Sequence, residues 1–421
     1  MKVLTPKNQQ EQSFRSSALL NATANLEERV FLNKALLDIC GSDIPNVVMA
    51  NNGQERRERF NRASLGFFLA FMSPFLTLPI ANRFAMKRIA KLTPKFFSKE
   101  SKAIGLSNKF LINAEETKKG LSKLSEHTKT DFQRLLEKVG GDYEKLRCNI
   151  IKAKTSVIAF DIAITSGALG GIGFINNYLT KKKTGQSGFS AEFKMADKET
   201  IEKRASTYEK NKKYRVATFI AGVGLISSLP FAIKKGLSSN KINKFTNFIK
   251  KHADKFDYND SILMKRLPLF LTCFGGYLGV SMASRNKTEL KDNVTRATFS
   301  NITFFGGDIL FASLLGRLSD KLLKTQIIKK DVEKPNSILN KLIPPTRPLK
   351  ELEGKSRPIG IALFWLNFIA LSGMIGFGTP YLINKMIKRD VDKDINKSDT
   401  KDLKLDFIPT DNKTFSKLKL K

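Results

Sequence analysis

The chain has 421 residues, and its 73 Lys plus Arg against 39 Asp plus Glu give a formal charge of +34. Such an excess implies a polyanionic neighbour, either anionic lipid head groups or nucleic acid. Three widely spaced cysteines, Cys40, Cys148 and Cys273, exclude a disulfide framework or a zinc site, and the two histidines, His127 and His252, lie apart in basic loops.

The start, Met1-Lys2-Val3-Leu4-Thr5-Pro6, runs into polar sequence without an apolar run of signal-peptide length. Asn25–Cys40 then reads as an amphipathic helix stopped by Gly41, within a polar N-terminal region of residues 1–62. Arg62 and Arg83 flank twenty residues without a charge, and Ala63–Ala81 among them is long enough for a hydrocarbon core about 30 Å thick. Five further apolar stretches follow: Ser156–Thr180, Val216–Ile233, Leu267–Ser284, Ala297–Gly316 and Pro358–Asn384. Leu267–Ser284 sits at the short limit for a span, whereas Pro358–Asn384 has length enough to tilt. Buried helices of a soluble protein would keep a polar stripe; these segments are apolar or small on every face.

Hydrophobic residues make up 41 % of the chain, an ordinary share that conceals their pooling into six blocks separated by Lys-rich loops. The predicted fold class is therefore all-α: a polytopic membrane protein with about six transmembrane helices over residues 63–389, basic amphipathic loop helices, and a charged, mobile tail over 390–421. Basic residues crowd the segment ends, as in Arg56, Arg57, Arg59 and Arg62 before the first and Lys181, Lys182 and Lys183 after the second. That placement favours anionic lipid as the partner over nucleic acid, for which no Arg-rich recognition helix or aromatic platform is present. Abundant Lys, Asn, Ile and Phe hint at an AT-rich genome and a bacterial cytoplasmic membrane.

The odd segments open alike, Arg62-Ala63-Ser64, Arg215-Val216-Ala217 and Arg296-Ala297-Thr298, and the second and sixth share Ile172-Gly173-Phe174 with Ile375-Gly376-Phe377. These matches suggest three tandem helical hairpins. In architecture alone that arrangement resembles the mitochondrial carriers. Their Pro-x-Asp/Glu-x-x-Lys/Arg motif is missing, since Pro79 is followed by Ile80-Ala81-Asn82-Arg83 and Pro230 by Phe231-Ala232-Ile233-Lys234. Lys and Arg are nearly equal on the two sets of loops, so charge asymmetry does not fix orientation. Either long loops translocate regardless of charge, or apolar hairpins dip in and leave every basic loop on one face.

Two loops carry stripes of their own. Asn240–Phe256 sets Ile242, Phe245, Phe248, Ile249 and Phe256 mostly on one helical face with Lys241, Lys244, Lys250, Lys251 and Lys255 around the rest, the pattern either of an interfacial helix facing anionic lipid or of a helix packed on its neighbours. Leu318, Leu322, Leu323, Ile327 and Ile328 form a second such stripe. Small residues at four-residue spacing, Gly167/Gly171, Gly275/Gly279 and Ala312/Gly316, suit close helix approach, and Pro74, Pro79, Pro230 and Pro380 suit bends.

Only two acids lie well inside the apolar segments, Asp161 and Asp308. A carboxylate in hydrocarbon costs roughly 2.5–3.5 kcal/mol or more unless solvated, paired or protonated. Asp308 follows Gly306-Gly307 and has no Lys or Arg within its segment, which makes it a candidate for a proton or cation path; a helix contact to Asn301 or Asn367 is the alternative. Asp161, seven residues from Lys154, reads rather as a hydrogen-bonded helix contact. No catalytic residue, metal site or cofactor is predicted, because Gly-x-Ser-x-Gly and His-Glu-x-x-His are absent. Gly354-Lys355-Ser356 mimics the end of a phosphate loop, but Leu349 stands where its first glycine belongs. Two functional classes remain: passage of a small solute, or organisation of a lipid surface without transport.

Overall fold

The computed structural model describes residues 18–90, 106–124, 126–193, 195–239, 243–259, 263–330 and 338–405. An apolar stretch can satisfy its own backbone only by closing every hydrogen bond along the chain, and the regular structure of the described residues is helical apart from a two-residue antiparallel ladder between Tyr258–Asn259 and Leu263–Met264 and an isolated bridge between Ile328 and Thr346. The N-terminal helix α1 runs through Val30–Leu37, a π-helical turn at Asp38–Asp43, and Ile44–Val48. Five helices are long and apolar enough to cross a membrane: α2 (Gly53–Ala85), α3 (Tyr143–Thr184), α4 (Lys212–Ser238), α6 (Lys287–Leu323) and α7 (Ser356–Lys393), with α5 (Arg266–Met282) lying between α4 and α6. The fourth apolar stretch thus yields a helix of only 17 residues.

Side-chain caps set the helix starts: Asn52 accepts from Glu55 N, Asp142 from Glu144 N and Lys145 N, and Asn286 from Glu289 N. Successive helices alternate in direction. The starts of α2, α4 and α6 meet the ends of α3, α5 and α7 at one pole, where Arg215 donates to the Ser284 carbonyl and Lys291 pairs with Asp390 at 2.6 Å. Helix α3, 42 residues and roughly 60 Å long, is the axis on which α2, α4 and α5 pack. Its start is clamped at the opposite pole by a small helical layer, where buried Arg147 donates to the carbonyls of Leu111 and Leu237, both at 3.0 Å.

Several sequence expectations change. The N-terminal helix does not stop at Gly41, because the π turn carries it onward and the bare Cα lets α7 approach; a Cβ there would sit 2.8 Å from Ser372 Oγ. The last helix does not yield to a loose tail at residue 390, for it continues as Thr379–Leu405 with Val391 buried against Phe189 and Ile387; residues 406–421 lie outside the described set. The stripe after the fifth segment is not one helix, since α6 ends at Leu323 with Lys324 in the left-handed region, and Asp320 accepts the backbone N–H groups of Ile327 and Ile328.

Close approach of α3 to α5 uses a different glycine pair from the expected one. Gly170 and Gly173, rather than Gly167 and Gly171, face α5: a Cβ on Gly170 would lie 2.9 Å from the Gly279 Cα, whereas Gly167 and Gly171 have nothing within 4 Å. Gly279→Leu should therefore lower the thermal unfolding midpoint in detergent, at an overpacking cost of about 1–3 kcal/mol. Gly167→Leu, facing open space, should leave the midpoint unchanged or raise it.

Candidate functional site: a charged cavity among apolar helices

A helix buried among apolar neighbours exposes its polar groups either to a partner or to an internal cavity. Helix α1 turns Phe31, Lys34, Leu37 and Ser42 inward, while Leu32, Ile44 and Val48 lie exposed on its outer face. An apolar outer face with Lys34 and Ser42 among the buried groups is the reverse of a soluble amphipathic helix. Its inward groups Asp38, Asp43 and Asn46 line a cavity of about 160 Å³ shared with α2, α3, α5 and α6.

Three π-helical turns shape that cavity. Asp38–Asp43, Phe68–Met72 and Thr303–Gly307 each lend it side chains, namely Asp38 and Asp43, Phe71, and Phe304 with Phe305. A fourth, Met374–Gly378, packs Gly376 onto the Gly41 carbonyl and Pro45 just behind it. Extra residues of this kind re-aim side chains within a helix, which is why such turns gather at working sites.

Most charges on the wall are matched. Arg59 pairs with Glu55 at 2.5 Å and donates to the Asn46 carbonyl at 2.7 Å; Arg296 pairs with Asp292 at 3.0 Å and also donates to Asn46 Oδ1. Arg62 donates to Asn293 Oδ1 at 3.1 Å. Glu58 is clamped by Arg285 through two 2.9 Å bonds and accepts from Ser190 at 2.6 Å and from Thr180. Asp38 and Asp43 differ: among the described residues neither carboxyl has a hydrogen bond or an ion pair.

Asp308 lies one layer further on, and its carboxyl has partners from outside its own segment. Lys34 Nζ donates to Oδ2 at 2.9 Å and Arg266 to Oδ1 at 2.7 Å, and Lys34 is only 2 % exposed. Asn367 does reach this residue, at its backbone carbonyl, 3.0 Å. Lys34 borders the charged cavity and also a second one of about 260 Å³, which Asp308, Arg266 and Phe364 line from the other side. Asp161 is wholly buried and accepts from Thr77 Oγ1. Lys154, the neighbour that made Asp161 look pairable, instead forms a buried pair with Asp257 and donates to the Leu106 carbonyl at 2.7 Å. The structure does not bring Asp161 and Asp308 into one cavity.

The basic loop is only partly an interfacial helix. Lys241 and Ile242 lie outside the described residues, and the helix proper is Lys244–Lys251, opened by an Asn243/Thr246 capping box. Ile249 is buried against Gly236 and Leu237, whereas Phe245 and Phe248 are exposed beside Lys244 and Lys251. Lys250 is held by the Ser239 carbonyl at 2.9 Å, and Lys255 is exposed.

Sequence reading missed Asp38, Asp43 and the cap at the cavity mouth, although a signal was present. Asn52-x-x-Glu55-x-x-Glu58-x-x-x-Arg62 and Asn286-x-x-Glu289-x-x-Asp292-x-x-x-Arg296 share one spacing, and each run is followed by a π turn. The two copies meet at Arg285, which pairs with Glu58 and, at 2.8 Å, with Glu289. Among the described residues no group of three or more His, Cys, Asp or Glu could hold a metal ion. No known protein family, curated protein or solved structure matches the chain.

Glu192 sits in the same cap, between α3 and α4, accepting from Asn286 at 3.0 Å and facing Arg204 at 3.3 Å. Burial pushes its carboxyl up to about 7 from 4.5, more than Arg204 draws it down. Between those values the folded state binds the proton more tightly than the unfolded chain does, so this group makes stability fall as pH rises from 4.5 to 7, by at most roughly 3 kcal/mol. Unfolding midpoints recorded across pH 4.5 to 7.5 should show that decline in the wild type and a flatter profile in Glu192→Gln.

Proposed function

We propose that the chain is a non-enzymatic, multi-pass membrane protein that passes a small solute between its two internal cavities. The reading rests chiefly on one observation: charged groups of α1, α2 and α6 line a half-open cavity between the helices while Leu32, Ile44 and Val48 of α1 face outward. In this reading α5 crosses with the five longer helices, giving three tandem hairpins, and α1 crosses with them as a polar lining element. The Lys34–Asp308–Arg266 cluster, lying between the cavities, is the barrier that must part for solute to move. The membrane is taken to be a bacterial cytoplasmic one, on composition.

A second reading, a lipid-surface scaffold without transport, is favoured by exposed Phe245 and Phe248 among Lys244, Lys251 and Lys255. Anionic head groups are the partner in both readings, because the excess of Lys and Arg over acids lies largely on loops that flank the apolar helices.

Membrane fractions should retain the protein through carbonate and high salt, since salt screens loop charges but leaves apolar burial intact. Release into the soluble fraction would contradict both readings. Flux separates them. Asp308→Asn alone strands buried Lys34, at a cost of roughly 3–5 kcal/mol, so the informative variant is Lys34→Gln/Asp308→Asn, which removes both members of that pair. Reconstituted in vesicles, this double variant should leak small ions at least fivefold faster than the wild type. Transport is refuted if the wild type moves nothing across a panel of ions and small solutes, and the barrier role is refuted if the double variant leaks no faster.

A further inference from the structure

Charge bookkeeping around the 160 Å³ cavity leaves a remainder. Arg59, Arg296 and Glu58 are consumed by Glu55, Asp292 and Arg285, and Lys34 is consumed by Asp308. What is left is two carboxyls, Asp38 and Asp43, and one guanidinium, Arg62, whose hydrogen-bond partner among the described residues is the neutral side chain of Asn293. The residual charge with these groups ionised is one negative unit. Carboxyls without donors are costly to bury, so two of them lining one space call for a donor-rich, positively charged guest.

The rest of the wall says what kind of cation. Phe71, Phe304, Phe305 and Leu269 supply apolar surface, and the Phe304 ring already meets an ammonium, Lys34 Nζ, at 5.9 Å. Aromatic faces attract ammonium groups and bury hydrocarbon together, whereas a bare metal ion would want a cage of oxygens that this wall does not offer. The volume corresponds to on the order of ten waters, room for a small organic molecule.

We infer that this cavity binds a small monovalent organic cation, with its ammonium group donating to Asp38 and Asp43 and its hydrocarbon body against Phe71 and Phe304. The inference rests on the solute-passage reading for its purpose, and names the solute class, but the site itself is testable without any flux.

Purified full-length protein in detergent is titrated calorimetrically at pH 7.5 with 2-phenylethylammonium and, separately, with phenylacetate, an anion of similar shape. Saturable binding of the cation with at least tenfold preference over the anion is expected. Asp38→Asn/Asp43→Asn should weaken cation binding at least tenfold, while Asp390→Asn, which removes a surface pair, should leave it unchanged. The site is overturned if the wild type binds no cation saturably, if phenylacetate binds as tightly, or if the double variant elutes like the wild type and binds undiminished. Should the double variant not fold, the cation-over-anion preference of the wild type decides alone. Cation binding without vesicle flux would sink the transport reading and leave the site standing; flux of other solutes without cation binding would do the opposite.

Discussion

Among apolar helices every ionisable side chain has to find a counter-charge or a wet cavity, because desolvation costs more than a distant partner returns. The contact that answers this most directly is Lys34 with Asp308, joined by Arg266. It fixes the depth and rotation of α1 against α5 and α6, two neighbouring elements far from it in sequence. Once α1 is held there, Asp38, Asp43 and Asn46 have to face the cavity and Leu32, Ile44 and Val48 have to face out.

The same constraint explains the π-helical turns. A regular α-helix rotates a side chain by 100° per residue and cannot keep two long polar faces in register with neighbours that approach at glycine contacts. An extra residue at Asp38–Asp43, Phe68–Met72 and Thr303–Gly307 shifts the face in each helix at a similar level, and Gly41 against Gly376 accepts the close packing behind it. Polar clamps then close the ends: Arg285 on Glu58 and Glu289 at one pole, Lys154 on Asp257 and Arg147 on Glu144 at the other.

The positive charge is a separate matter from the cavity. Most interior cations are paired with acids, Arg62 excepted, while the excess lies on loops and helix ends such as Lys181, Lys182 and Lys183, where it adds nothing to packing and acts on the surroundings. Interior chemistry and surface charge can therefore change independently.

How much was legible follows from range. Long apolar runs with basic ends decide helix formation by themselves, because the backbone has no other way to satisfy its hydrogen bonds in an apolar setting; hence the all-helical class, five of the long helices and the shortness of Arg266–Met282 are readable directly. The duplicated Asn-x-x-Glu-x-x-acid-x-x-x-Arg spacing around Asn52 and Asn286 was also readable, though its meaning was not. What only the tertiary structure decided was pairing. Nothing near Asp308 in sequence announces Lys34, 274 positions away, and nothing near Gly170 announces Gly279. Helix α1 looked like an ordinary amphipathic helix because a sequence shows that two faces differ, and only packing determines which face is turned inward.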